Sequence, residues 1–275
     1  MWTHRIILEG LEHSNNTFVT LTYDDEHLPA DGNLQPDHMT AFIKSLRAKL
    51  NPDKIKPTPE HAKIRYYLVG EYGDDSERPH YHLALFNYPN CVRGQSLYSR
   101  YNLSCCTSCD VIRDVWGRGN VLLGELTPHS AQYTAGYIIK KLQTELVDTH
   151  RTPEFQRMSN RPGLGSDAMH RVAAQLKKYG LDKTIEDVPT TLRHGKKQYP
   201  LGSYLRGNLR ELIGRDKKAP QAVHDKLAQE MLPVQLASKN SKKGESTAKI
   251  NNEINSGKHA RLEGRDKLYN SRNKL

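Results

Sequence analysis

The chain reads as an α+β protein, an antiparallel or mixed sheet with helices packed on it. Three observations predict this. Short alternating or β-branched runs recur around residues 18–23, 64–72, 78–86 and 120–126. Two of them are joined by Gly73-Asp74-Asp75-Ser76-Glu77, a polar linker short enough for a hairpin. Helical periodicity falls between the others without strict β-α-β alternation.

Taken in order, Trp2, Ile6, Ile7 and Leu11 recur at helical spacing and predict a short leading helix. Phe18-Val19-Thr20-Leu21-Thr22-Tyr23 then alternates as a strand, closed by the turn cluster Asp31-Gly32-Asn33. Asp37 is placed to cap a helix carrying Met39, Phe42, Ile43, Leu46 and Leu50 on one face, and Asn51-Pro52 stops it. The second and third strands run from Ile64 to Tyr72 and from Arg78 to Phe86, and a fourth from Asn120 to Leu126. Ser130 to Leu146 is a strongly patterned helix. After Arg151 the pattern weakens to a loop at Arg161-Pro162-Gly163-Leu164-Gly165, a helix from about Met169 to Tyr179, and a basic tail.

Composition narrows the class of function. There are 41 Lys+Arg against 31 Asp+Glu, a net charge of +10, and hydrophobic residues make up only 36%. Mean hydropathy is −0.76. No apolar run approaches the roughly 18–20 residues of a membrane span, so a helical integral membrane protein is excluded. No signal peptide is visible at the N-terminus. Four cysteines, three of them crowded at 105–109, do not make a secreted disulfide framework. A cytoplasmic, basic protein with a nucleic-acid partner is the expectation. The charge is uneven: Leu236 to Leu275 holds ten Lys/Arg against four acidic residues, +6 of the total, leaving +4 for the body. This tail is too polar to close a core, and suits either a solvated appendage or an arm giving sequence-independent affinity for a polyanion.

Three constellations carry chemistry. In His80-Tyr81-His82 the two imidazoles share a strand face while Tyr81 points away. Such a pair can hold a divalent ion against a phosphate oxygen, or can simply line a half-exposed face. With the hairpin centred near Ser76, Glu71 would lie across from His82 and add an acidic ligand suited to Mg²⁺ or Mn²⁺. On the helix from Ser130, Tyr133, Tyr137 and Lys140 fall within roughly 60° of arc, whereas Ala135, Ile138, Ile139, Leu142 and Leu146 occupy the opposite side. A phenol with pKa about 10 is a weak nucleophile, so it needs a cation or an activated phosphate beside it, a role open to Lys140. Since the tyrosines must look toward the sheet, cover for the apolar stripe is expected from residues after Thr152. The third group is Cys91, Cys105, Cys106 and Cys109, where Cys106-x-x-Cys109 has half of a zinc-site spacing; structural Zn²⁺ and free thiols are both open. No phosphate-binding GxxxxGK[ST] motif occurs, which argues against an ATP-driven helicase.

Together these pieces resemble the HUH endonucleases. The run Phe18 to Pro29 is similar to the first motif of the replication initiators of small single-stranded DNA phages. Gly70-Glu71-Tyr72-Gly73 with Arg78-Pro79-His80-Tyr81-His82 is similar to their metal motif, and Tyr133-Thr134-Ala135-Gly136-Tyr137-Ile138-Ile139-Lys140-Lys141 to their two-tyrosine motif. The likeness is greatest to the initiators of the gokushovirus branch of the Microviridae, extends to Met158 to Gly165, and covers roughly residues 2–215. Many of those relatives carry a cysteine-rich segment ahead of the position matching Trp2, and this chain starts just after it.

The resemblance implies a five-stranded antiparallel sheet of the RNA-recognition type and rolling-circle initiation in a host bacterial cytoplasm. It implies His80, His82 and Glu71 as ligands of Mg²⁺ or Mn²⁺. Tyr133 and Tyr137, aided by Lys140, would be nucleophiles toward single-stranded origin DNA, with host replication machinery as a further partner. The expected organisation is an endonuclease core over 1–150, an extension packed on it over 151–215, and a basic tail over 216–275. Two rivals remain: a non-catalytic single-strand binder on the same sheet, and a metal-dependent nuclease that uses water.

Overall fold

Alternation of side chains along the strands explains the sheet. The computed structural model describes residues 1–53, 63–73, 76–93, 105–141, 151–240 and Ser256, with only the backbone described at 137–141, 234 and 237–240. Helix α1 (Trp2–Gly10) leads into β1 (Asn16–Tyr23), α2 (Pro36–Leu50), and the hairpin of β2 (Arg65–Tyr72) and β3 (Pro79–Phe86). Then come α3 (Thr107–Trp116), β4 (Gly119–Glu125), α4 (Pro128–Lys141) and β5 (Phe155–Met158). The five strands form one antiparallel sheet in the order β4-β1-β3-β2-β5. The α+β class and the five-stranded antiparallel sheet agree with expectation.

One face of this sheet is filled. Val19 and Leu21 of β1, Leu68 of β2, Tyr81, Leu83 and Leu85 of β3, and Val121 and Leu123 of β4 pack into one core with α2 and α3. Helix α2 contributes Met39, Phe42, Ile43 and Leu46, as its periodicity predicts. Its cap is a correction: Pro36 opens the helix after Gln35, and Asp37 sits inside the first turn without a capping hydrogen bond. Proline at the first helical position loses no hydrogen bond, because that N–H has no partner within the helix in any case.

Helix α3 is absent from the sequence expectation. Its Cys109, Ile112 and Trp116 face the core, and Trp116 donates from Nε1 to the Thr22 carbonyl at 3.1 Å. The chain then turns through Gly119 at φ +137, where an added Cβ would meet the Asp24 nitrogen at 2.3 Å. Only glycine permits this entry to β4. Strand β5 is likewise absent from the expectation; Phe155 crosses over Gly70, whose missing side chain leaves the room, since a Cβ there would meet the ring at 2.7 Å.

The opposite face is apolar at one end only. Ile6 of α1, Tyr67 and Val69 of β2, Ala84 and Phe86 of β3, Ala131 and Ala135 of α4, and Leu164 form a second cluster. Behind α1 lies a third, built from Leu8 with α5 (Ala168–Lys178), Val188, Leu201 and α7 (Gly202–Leu212). Between those two helices come the short α6 (Leu181–Thr184) and a hairpin of β6 (Thr191–His194) and β7 (Lys197–Pro200). Arg210 and Arg206 both reach Asp187, at 2.7 and 2.6 Å. These elements belong to one compact unit, Met1–Lys217. The second unit, Lys218–Leu275, contains α8 (Gln221–Asn240); of the basic tail beyond it, only Ser256 is among the described residues. Among the described residues no helix is long and apolar enough to cross a membrane.

Candidate active and metal site

The site lies at the polar end of that second face, and antiparallel pairing assembles it. Glu71 of β2 faces His80 of β3, Val69 faces His82, and His82 also faces Thr20 of β1. This corrects the expected pairing of Glu71 with His82. The hairpin closes Tyr72 on Pro79, so the register shifts by two residues. A shift of two preserves the face, and Glu71 therefore still converges with both imidazoles.

His80 Nε2 is 3.1 Å and His82 Nε2 3.0 Å from Glu71 Oε1, and one ligand atom from each residue lies within 4.8 Å of the others. Each ring is held from behind. His80 Nδ1 donates to the Arg78 carbonyl at 3.0 Å and His82 Nδ1 to Thr20 Oγ1 at 2.9 Å, while Phe18 stacks on His82 at 5.4 Å between centroids. Outer partners of this kind orient imidazoles toward a metal ion.

The residues fit a divalent cation. Glu71 is only 1% exposed and His82 7%. Glu71 Oε2 and His82 Nε2 are both buried without an aligned hydrogen-bond partner, an arrangement that costs free energy unless something lies between them. Burial pushes the Glu71 carboxyl up, but the two imidazoles outweigh it and hold the group at about 2. A permanently ionised carboxylate beside two imidazoles is a donor set for Mg²⁺ or Mn²⁺ as well as for softer ions.

Helix α4 brings a phenol to the same place. Thr127 and Ser130 cap its start reciprocally: Ser130 N–H donates to Thr127 Oγ1 at 3.1 Å, and Thr127 N–H to Ser130 Oγ at 2.8 Å. Ala131 and Ala135 are buried, and their small side chains let the helix approach α1, β2 and β3 closely. Tyr133, 42% exposed, reaches from the helix flank so that its Oη is 3.5 Å from Glu71 Oε1 and its ring meets His82 edge-on at 5.3 Å. The expected cover for the apolar stripe comes mainly from α1, which precedes the sheet; among the described residues, Leu164 is the one buried contribution from beyond Thr152. Tyr137 and Lys140 lie on α4 with side chains outside what is described, as do those of Ile138 and Ile139; Leu142 and Leu146 lie outside the described residues altogether.

The structure thus brings together Glu71, His80, His82 and Tyr133, and it adds supporting roles for Thr20, Phe18 and Arg78, which sequence reasoning does not single out. Thr20 has the right strand parity, but that parity has meaning only once β1 is known to pair with β3. The four cysteines also converge, with every Sγ within 4.8 Å of the rest, on the far side of the sheet, where Cys91 and Cys109 belong to the filled core.

With this geometry in view, residues 16–142, from β1 to the end of α4, match the family model of the replication-associated protein ORF2. This segment belongs to that family. The match spans the trio, Tyr133 and Tyr137, and four of the five strands of the sheet. The chain is 41% identical over 169 residues to replication-associated protein ORF2 of Spiroplasma virus 4, covering 59% of this chain and 51% of that protein. It is 41% identical over 151 residues to replication-associated protein VP4 of Bdellovibrio phage phiMH2K, covering 55% and 47%. Replication-associated protein ORF4 of Chlamydia phage 1 is 27% identical over 232 residues, covering 82% and 54%. The chain therefore spans about half the length of the curated relatives it matches. No solved structure matches it.

Proposed function

We propose that the protein initiates rolling-circle replication of a small single-stranded DNA phage by cutting and rejoining origin DNA through its tyrosines. The observation that carries this is the Tyr133 hydroxyl 3.5 Å from Glu71 Oε1, beside two strand-mounted imidazoles. A nucleophile must stand within bridging distance of the group it attacks, and a phosphate seated at the trio would be within reach of this phenol. The family match and the printed names of the relatives support a role in replication.

His80, His82 and Glu71 would hold Mg²⁺ or Mn²⁺. When bound, the ion supplies Lewis-acid polarisation of a phosphate oxygen. Thr20 and the Arg78 carbonyl keep both imidazole Nε2 atoms turned inward. Tyr133 attacks the scissile phosphorus of a single-stranded segment; its oxygen becomes bonded to the 5′-phosphate and a 3′-hydroxyl leaves. That hydroxyl primes a host polymerase. Tyr137, one helical turn along, is assigned the second cleavage, after which the free 3′-hydroxyl displaces the first tyrosine and closes a circle. Lys140 is assigned to balancing charge on phenolate or phosphate. Each exchange conserves one phosphodiester-equivalent bond, so rejoining needs no nucleotide hydrolysis.

Incubation of the protein with labelled origin oligonucleotide and Mn²⁺, followed by a denaturing gel, tests this. A covalent adduct lost in Tyr133→Phe plus Tyr137→Phe is expected. Cleavage without adduct would instead mark a water-using nuclease, and binding with neither product a single-strand binder.

A further inference from the structure

The cysteine cluster is separate from this chemistry and is assembled by different elements. Cys91 follows β3, Cys105 and Cys106 lie just ahead of α3, and Cys109 is in its first turn. All four are free thiols, and Cys91 Sγ is 3.8 Å from Cys105 Sγ. A disulfide requires about 2.05 Å. A tetrahedral ion with sulfur ligands at about 2.3 Å has sulfur–sulfur edges of about 3.8 Å. All four sulfurs within 4.8 Å of one another leave room for one ion, and not for a cluster core with several irons and sulfides.

The surroundings hold the sulfurs in place. Asn90 Oδ1 accepts from the Cys91 N–H at 2.8 Å and from Thr17 Oγ1 at 3.1 Å, tying this ligand to the start of β1. Asp110 Oδ1 accepts from the Cys105 N–H at 3.2 Å, and Tyr88 Oη donates to the Ser108 carbonyl at 2.7 Å. Backbone N–H groups point at sulfur: those of Cys109 and Val92 at Cys106, and that of Arg93 at Cys91. N–H groups turned toward sulfur favour thiolates, the form that ligates metal. Four buried or half-buried sulfurs without an ion would crowd lone pairs against one another inside an apolar core.

We infer that Cys91, Cys105, Cys106 and Cys109 bind one structural Zn²⁺ that fastens the connection between β3 and α3 onto the filled face of the sheet. This site and the Glu71/His80/His82 trio then divide two metals by softness: thiolates select zinc, while carboxylate with imidazole accepts Mg²⁺ or Mn²⁺. The ion clamps the connection that leads from β3 to α3 and thence to β4, so its binding free energy enters the stability of the sheet edge.

The test is elemental analysis of the full-length protein purified without chelator, with zinc release followed by a chromogenic indicator as a mercurial thiol reagent is added. The expected result is one zinc per chain, released as four thiol equivalents react. The doubly substituted His80→Ala/His82→Ala protein retains that zinc, and Cys106→Ser/Cys109→Ser loses it. Cobalt reconstitution gives an independent readout: tetrahedral thiolate ligation produces intense visible d–d bands and sulfur-to-metal charge transfer. Metal-free protein with four freely reactive thiols would overturn the inference, as would stoichiometric iron, or zinc that leaves with the histidines rather than with the cysteines. The wild-type measurement decides the question even if the cysteine variant does not fold.

Discussion

The two faces of the five-stranded sheet are built by the same strands and do opposite work. On one, β1, β3 and β4 present Val19, Leu21, Leu83, Leu85 and Leu123, all fully buried, against Phe42, Ile112 and Trp116. On the other, β1, β3 and β2 present Thr20, His80, His82 and Glu71, and only the far end of that face is sealed by α1 and α4. Because successive residues of a strand point to opposite sides, Tyr81 sits in the core while its neighbours form the site. The filled face sets the position of the polar one to within the rigidity of a packed core. The polar face, freed from contributing to packing, can keep buried donors without partners.

That division can be broken from either side. The largest change is expected for His82→Ala, which should lower strand cleavage by about 10³-fold or more while leaving the denaturation midpoint close to that of the parent protein. Single-turnover cleavage beside a urea titration checks both halves. Leu83→Ala, one residue along on the opposite face, should do the reverse. It removes about 2–5 kcal/mol of stability, with cleavage per folded molecule retained; equal loss of cleavage in the two variants would show that the faces are not separable.

A finer probe is Thr20→Val, which keeps the shape but deletes the acceptor behind His82. Metal affinity should fall by about 10–100-fold, read as a rise in the Mn²⁺ concentration needed for half-maximal cleavage, with little change in rate at saturation. The smallest effect concerns neither face. Hydrogen bonds from Arg210 and then Arg206 hold the Asp187 carboxyl well below the usual carboxylate range, against its partial burial. A carboxyl depressed on folding contributes stability that is full above its unfolded pKa of about 3.9 and is lost as pH falls toward the folded value. Asp187→Asn should lower stability at neutral pH and flatten the dependence below about pH 4, measured as the urea midpoint against pH. A steeper acid limb in the variant would contradict the assignment.

Legibility in the sequence follows the range of the forces concerned. Strands β1 to β4, α1, α2, α4 and α5 stand out because burial of one face imposes a period that local sequence must obey. His80 and His82 can be placed on one side from parity alone. Helix α3 escapes such a reading because Thr107-Ser108-Cys109-Asp110 looks like a loop, and its core positions are a cysteine, an isoleucine and a tryptophan rather than a leucine repeat. Strand β5 is only four residues long and owes its conformation to pairing with β2. Parity puts Glu71 on the correct face but one pairing step away from its true partner, since loop length sets register and loop length is only inferred from sequence.

By itself, then, the sequence determined the class of fold, the shared face of the two histidines, the polar stripe that carries Tyr133, and the resemblance to a replication family. Each of these depends on residue spacing along a single element, where geometry is regular. Only the tertiary structure decided that Glu71 faces His80, that Thr20 supports His82, that α1 covers α4, and that four cysteines from separate places meet at one point. Those facts depend on how elements register against one another, and that is settled by packing across the sheet rather than by any local period.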